Sequence, residues 1–214
     1  VKKIFVAFFV LNLGLPGVTN QAFCEEFLPG DIILQPLRCR VCELIEAQEK
    51  TSFAHIGLVV SRGENPLVLE AWGSVVVKPL QQFLSKADQT RPHVVRRMKK
   101  SLFSLNDKLE QKILNSALQL VGLPYDRDFL WANVDSSGKE LLYCSELITK
   151  LMAQFTPYIV KPKPMTFDIF FEEWERYFQG RVPQGELGNS PGDYERSDLY
   201  ETVGLSQNGH WTWK

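Results

Sequence analysis

The sequence predicts an α+β fold. Three observations carry that expectation: short apolar runs bounded by turn residues fill much of the first half, apolar positions recur at helical spacing in the second half, and no internal repeat is visible. Pro29-Gly30-Asp31 makes a turn into Ile32, Ile33 and Leu34, a short buried strand. A helical stretch over 37–49 follows. Residues 53–60 (FAHIGLVV) are apolar on both faces apart from His55, which is the pattern of a buried strand. Turn chemistry at 61–66 (SRGENP) leads to a return strand over 67–72 (LVLEAW), and 75–77 and 93–98 supply further strands. Asn106 can cap a helix in which Leu109, Ile113, Leu114, Ala117, Leu118 and Val121 repeat at helical spacing, ended by Gly122 and Pro124. A second helix carries Leu147, Ile148, Leu151, Met152 and Phe155 on one face, with Cys144 in its first turn. Prolines 157, 162 and 164 break regular structure, and a short amphipathic piece covers 169–178. The C-terminal stretch, rich in Gly, Pro and Asn, reads as a loop-rich tail across the surface.

A chain of 214 residues can hold one domain with a sizeable core, and 44% hydrophobic with 23% charged residues argues against disorder. The formal net charge of -1 gives no global field toward nucleic acid or an anionic membrane. The basic cluster at 96–100 (RRMKK) is short and is expected to be a solvated strand end. Nor are the tryptophans interleaved with basic residues as in a single-strand nucleic-acid platform. Lys2 and Lys3 precede an apolar run over 4–15 that Pro16 and Gly17 close. That is the build of a secretory signal, and it is shorter than the roughly 20 residues that span a bilayer. Residues 1–22 are therefore expected to be a signal peptide cut after Ala22, with an uncleaved anchor or a buried helix as alternatives. Residues 23–214 are expected to form a single domain outside the cytoplasm, periplasmic or secreted, where Cys24, Cys39, Cys42 and Cys144 meet oxidising conditions. Cys39 and Cys42 form an isolated C-x-x-C, weak evidence for zinc or redox work, and are read as two packed cysteines on a helix.

The residues that can carry chemistry are His55, Glu70 and Cys144. His55 and Glu70 lie on adjacent strands of the expected hairpin. Pairing Val60 with Asn65 sets them directly opposite, and pairing Val60 with Leu67 makes them diagonal neighbours; both registers put them on one face. A histidine and a carboxylate among Ile, Val and Leu need each other, because an unpaired buried charge is costly. Such a carboxylate can fix the imidazole tautomer, or the two can simply be a satisfied core pair. Cys144 opens a helix, where free backbone N–H groups favour a thiolate and can steady an oxyanion. Glu146 opposes this mildly, and a packed cysteine or a disulfide to Cys24 is the alternative. His93 and His210 read as surface residues.

Five pieces occur in order: Gly30-Asp31-Ile32-Ile33, Phe53-Ala54-His55-Ile56-Gly57, Leu69-Glu70-Ala71, Gly122-Leu123-Pro124-Tyr125-Asp126 with Phe129, and Tyr143-Cys144-Ser145-Glu146-Leu147. Together they resemble the YaeF/YiiX group of permuted papain-like amidases, within the wider NlpC-type hydrolases, and the segment 191–204 resembles the closing segment of some members. The resemblance implies a circularly permuted papain-like (NlpC-type) α+β fold, an antiparallel sheet packed against helices, in which the histidine-bearing sheet precedes the cysteine-bearing helix. It implies Cys144 as nucleophile, His55 as general base and acid, and Glu70 as the third member, with Tyr143 and Tyr125 lining the site.

The function expected is a cysteine-dependent hydrolase, an amidase or peptidase working through a thioacyl-enzyme without metal or cofactor, with cell-wall peptides as a substrate suggested by analogy. Lipid ester or thioester hydrolysis, or acyl transfer, is the second reading, marked by an apolar groove beside Cys144. A non-catalytic binding module is the third. Expected partners are a small peptide, amide or lipid substrate and no nucleic acid, with membrane contact only through an uncleaved N-terminal segment.

Overall fold

The computed structural model describes residues 27–214, so the expected signal segment and Cys24 lie outside the described residues. In chain order the elements are β1 (Ile32–Gln35), α1 (Arg40–Glu49), β2 (His55–Ser61), β3 (Leu67–Trp72), β4 (Ser74–Pro79), α2 (Leu80–Leu84), β5 (His93–Met98), α3 (Asp107–Leu120) and α4 (Cys144–Met152). They continue as β6 (Lys163–Pro164), α5 (Phe171–Tyr177), β7 (Leu187–Gly188), α6 (Pro191–Arg196), β8 (Tyr200–Gln207) and β9 (His210–Trp213). Seven strands form one antiparallel sheet in the order β4-β3-β2-β1-β5-β8-β9, and β6 pairs with β7 apart from it. The arrangement is α+β, as expected from the sequence.

Both faces of the central strands are covered, which is why 53–60 reads as a continuous apolar run rather than an alternating one. Ile32, Leu34, Ile56, Leu58, Leu69 and Ala71 pack on one side with Ile113 and Ala117 of α3 and Leu147, Ile148 and Leu151 of α4. Ile33, Val59, Val68 and Val95 pack on the other with Leu80 and Phe83 of α2 and with Phe27. The Asn106 side chain accepts from the Leu109 N–H at 2.9 Å and so caps α3, an interaction worth about 1 kcal/mol.

Three expectations are corrected. First, the C-terminal stretch is not a loop-rich tail: Ser190 and Asp193 form a capping box that starts α6, and β8 pairs with β5 and β9 with β8 to extend the sheet. The turn between β8 and β9 is made by Asn208 and Gly209 at φ 51° and 78°, the left-handed pair that a tight hairpin demands. Second, His93 is buried at the start of β5, its ring 6.3 Å from that of Trp211, and desolvation lowers its pKa; His210 is exposed. Third, Cys39 and Cys42 are not two separate packed thiols but a disulfide, with Cys39 at the N-cap of α1. Within the basic cluster, Arg97 pairs with Asp31 at 2.7 Å and Arg96 donates to the Ser197 and Tyr200 carbonyls, while Lys99 and Lys100 are exposed just past the end of β5.

Gly57 shows how closely α2 is applied to the sheet. A Cβ built there would lie 2.6 Å from the Phe83 ring and 2.7 Å from Val68 Cγ1, so no side chain fits. Gly57→Ala is expected to destabilise the protein by about 1–3 kcal/mol through overpacking. Urea unfolding checks this, with a lowered midpoint at unchanged slope as the expected result.

Candidate active site

Cys144 is the first residue of α4, and the N-cap residue Tyr143 makes no side-chain cap hydrogen bond. The leading N–H groups of the helix are therefore not taken by a capping side chain and are available to an anion at the Cys144 position. Cys144 is a free thiol, only 6% exposed. Glu146, in the same turn, faces elsewhere: it accepts from the Ala132 N–H at 2.8 Å and from the Lys150 ammonium at 2.8 Å. Lys150 also holds Glu140 at 2.6 Å, so the negative charge near the start of α4 is answered within the helix.

His55 opens β2 and stands between Cys144 and Glu70. Its Nε2 is 2.6 Å from Glu70 Oε2, and the Cys144 side chain is near enough to raise its pKa. With Nε2 committed to the carboxylate, Nδ1 is the nitrogen left for the thiol. The register of β2 with β3 pairs Leu58 with Leu69 and Val59 with Val68, which extrapolates to Gly57 opposite Glu70 and makes His55 the diagonal neighbour. Of the two registers open to the sequence, the diagonal one forms. Trp72 meets the imidazole edge-on at 5.3 Å and Phe83 lies 5.8 Å away, fixing the ring from both sides.

Glu70 is fully buried, and its second oxygen accepts from two lysines, Lys78 at 2.5 Å and Lys86 at 3.0 Å. Burial alone would raise the Glu70 pKa; His55, Lys78 and Lys86 outweigh it and push it down to about 2. Burial likewise works to lower the His55 pKa, but Cys144 and Glu70 raise it to about 9. Lys86 also lies over the Trp72 ring at 5.0 Å. The sequence reading missed both lysines. Lys78 had a signal: it sits on β4 two residues from Val76, the partner of Glu70, and hence on the same face. Lys86 follows α2, and nothing local in the sequence points it at Glu70.

The segment before α4 walls the site. Asp126, fully buried, accepts from the Asp128 and Leu130 N–H groups at 2.9 and 2.8 Å and from Asn133 Nδ2 at 3.0 Å. Pinned this way, the loop holds Phe129 at φ 54° and Ala132 at φ 61°, a conformation that side chains other than glycine seldom adopt. Phe129 and Tyr125 stand between two chambers. One, of about 500 Å³ including its open mouth, is lined by Cys144, Tyr143, Met165, Phe167 and Trp174. The other, of about 780 Å³ measured the same way, is lined by His55, Trp72, Arg127, Tyr177 and the Cys39–Cys42 disulfide. Tyr125 borders both chambers, and burial together with Cys144 raises its pKa well above the usual value, so it stays a neutral hydroxyl. The Tyr143 ring packs on Phe129 at 5.7 Å, while its hydroxyl accepts from the Asn189 N–H at 3.2 Å. The structure thus brings together all five residues singled out in the sequence.

These shifts fix the expected pH behaviour. A histidine raised from 6.5 to about 9 contributes stability that is complete below 6.5 and is lost as the pH climbs through about 9. Glu70→Gln should lower the His55 midpoint by about one unit or more, read by NMR titration of the imidazole protons. A carboxylate depressed from 4.5 to about 2 contributes fully above 4.5 and loses that contribution as the pH falls toward 2. Replacing Lys78 and Lys86 together by Met should therefore move acid unfolding to higher pH, followed by circular dichroism.

Residues 26–183 match the permuted papain-like amidase family YaeF/YiiX, C92. The uncharacterized protein YiiX of Escherichia coli K12 is 32% identical over 134 residues, which is 63% of this chain and 61% of that protein. The chain thus matches less than two thirds of that relative's length. The crystal structure of metalloprotein YiiX from Escherichia coli O157:H7 superposes with a TM-score of 0.73 at 25% identity, covering 85% of this chain and 99% of that one. With His55 on the leading sheet and Cys144 on the later helix, the chain belongs to the permuted papain-like amidase family YaeF/YiiX, C92.

Proposed function

We propose that this protein is a cysteine-dependent amidase or peptidase in which Cys144 is the nucleophile, His55 the general base and acid, and Glu70 the residue that orients and charges the histidine. The observation that carries the reading is the position of the His55 imidazole, 2.6 Å from Glu70 and close enough to the free thiol of Cys144 that the two groups influence each other's charge. The Cys144 thiolate attacks the substrate carbonyl while the imidazolium keeps the proton. The oxyanion that forms is held by the Cys144 N–H at the start of α4 and by the neutral Tyr125 hydroxyl. His55 then gives its proton to the leaving amine, which departs and leaves a thioacyl-enzyme. Water, deprotonated by the same imidazole, releases the acid and restores the thiol. The circularly permuted NlpC-type arrangement belongs to this reading, as does the placement of residues 23–214 in one exported domain that acts on small peptides. Among the described residues no helix is long and apolar enough to cross a membrane.

A second reading, hydrolysis or transfer of lipid esters and thioesters, has one specific observation in its favour. The chamber beside Cys144 is walled chiefly by apolar side chains, among them Phe129, Phe167, Met165 and Trp174. A binding module that needs no chemistry is less well served, since Cys144 is a free thiol. The structural relative carries the description metalloprotein. The residues here do not fit a metal: among the described residues no group of three or more His, Cys, Asp or Glu side chains is placed to hold one, and both oxygens of Glu70 already serve His55 and the two lysines.

Iodoacetamide labelling of Cys144, located by mass spectrometry across pH, tests the proposal. Labelling near pH 7 should be fast in the parent protein and at least tenfold slower in His55→Ala, with Glu70→Gln in between. Cys144→Ala should abolish amide hydrolysis while leaving the fold intact. A labelling rate indifferent to His55 would overturn the reading.

A further inference from the structure

We infer that the amine half of the substrate carries a carboxylate and that Arg127 receives it, making Arg127 a specificity-determining residue of the amidase. The inference rests on the Cys–His reading above and adds to it a direction along the cleft. The acyl group must stay on Cys144 after the amine leaves, so it occupies the chamber lined by Cys144, Phe167 and Trp174. The leaving nitrogen must take its proton from His55, so the amine half lies in the chamber that His55 lines. Arg127 borders that second chamber, as Tyr177 does, and is exposed at its mouth.

Nearby arginines are already neutralised. Arg38 holds Asp88, Arg40 holds Glu43 and Glu173, and Arg91 holds Glu46. Lys78 and Lys86 share Glu70. Arg127 makes no hydrogen bond or ion pair among the described residues. Two carboxylates neighbour it in sequence. Asp126 is buried and fully engaged with its own loop, and Asp128 forms no ion pair with Arg127 among the described residues. The loop that carries Arg127 is held by the Asp126 hydrogen bonds, so the guanidinium stands on a fixed base. A planar, always-charged fork at the wall of a partly desolvated, aromatic chamber suits a substrate carboxylate, which it can bind through two parallel hydrogen bonds. The substrate class is therefore an apolar acyl group joined by an amide to an amino acid with a free carboxylate.

The test compares N-acetylleucylglycine with its C-terminal carboxamide, a pair that differs only in the charge at the amine end. The parent protein should cleave the acid with a kcat/KM about tenfold or more above the carboxamide, and 0.5 M salt should narrow that ratio. In Arg127→Gln the ratio should fall to about one, through a rise in KM for the acid. An equal rate on both compounds in the parent protein, or a ratio that survives the substitution, overturns the inference. Failure to cleave either compound while Cys144 labelling still depends on His55 overturns the substrate class and leaves the Cys–His pair standing. Labelling that ignores His55 removes the hydrolase reading and this inference with it.

Discussion

Glu70 is a carboxylate with no exposed surface in the middle of a sheet, and a charge in that position has to be answered from within the protein. Three cations answer it. His55 takes one oxygen, Lys78 and Lys86 take the other, and the carboxylate is ionised over the whole ordinary pH range as a result. Much of the surrounding structure serves that arrangement. The register of β2 with β3 makes His55 and Glu70 diagonal neighbours, β4 brings Lys78 alongside, and the turn after α2 returns Lys86 over Trp72. The bare backbone at Gly57 lets Phe83 close against the imidazole. A site built this way holds its histidine by charge and its ring plane by packing, so neither depends on the other alone.

The second half of the site is set by backbone rather than by charge. No side chain caps α4, so its first N–H groups converge where Cys144 sits. The preceding loop is over-determined by the hydrogen bonds of Asp126, and that is what sustains the unfavourable torsions at Phe129 and Ala132. Phe129 in turn divides the cleft and packs into the aromatic cluster of Tyr143, Trp174 and Phe178. The strained loop thus sets Phe129 between the chamber lined by Cys144 and the chamber lined by His55.

Most of the sheet and both long helices were legible because their signals are local: apolar runs between turns, an Asn cap at 106, and helical spacing after it. The pairing of His55 with Glu70 was legible because strand alternation restricts a buried histidine and a buried carboxylate to few registers. The errors share a cause. The Gly-, Pro- and Asn-rich composition of the C-terminal stretch conceals β8 and β9, which are only partly buried, yet Asn208-Gly209 is itself a hairpin signal. His93 reads as a surface residue because Trp211 of β9, whose ring lies against it, is distant in sequence. Cys39 and Cys42 lie within one turn, and their bridge follows from Cys39 standing at the N-cap of α1, whereas Lys86 depends on three-dimensional placement that no window of sequence contains.

The order of the parts along the chain also has a consequence in time. His55 and Glu70 are fifteen residues apart, on neighbouring strands of one hairpin, so the charged half of the site can form from local contacts. Cys144 enters from a helix much later in the chain and meets His55 only when α4 docks on the sheet. Until then the thiol has neither the imidazole to take its proton nor the packed helix start to hold its charge. On the reading proposed above, the thiol and the imidazole form a working pair only through long-range packing, so a chain in which α4 has not docked lacks that pair.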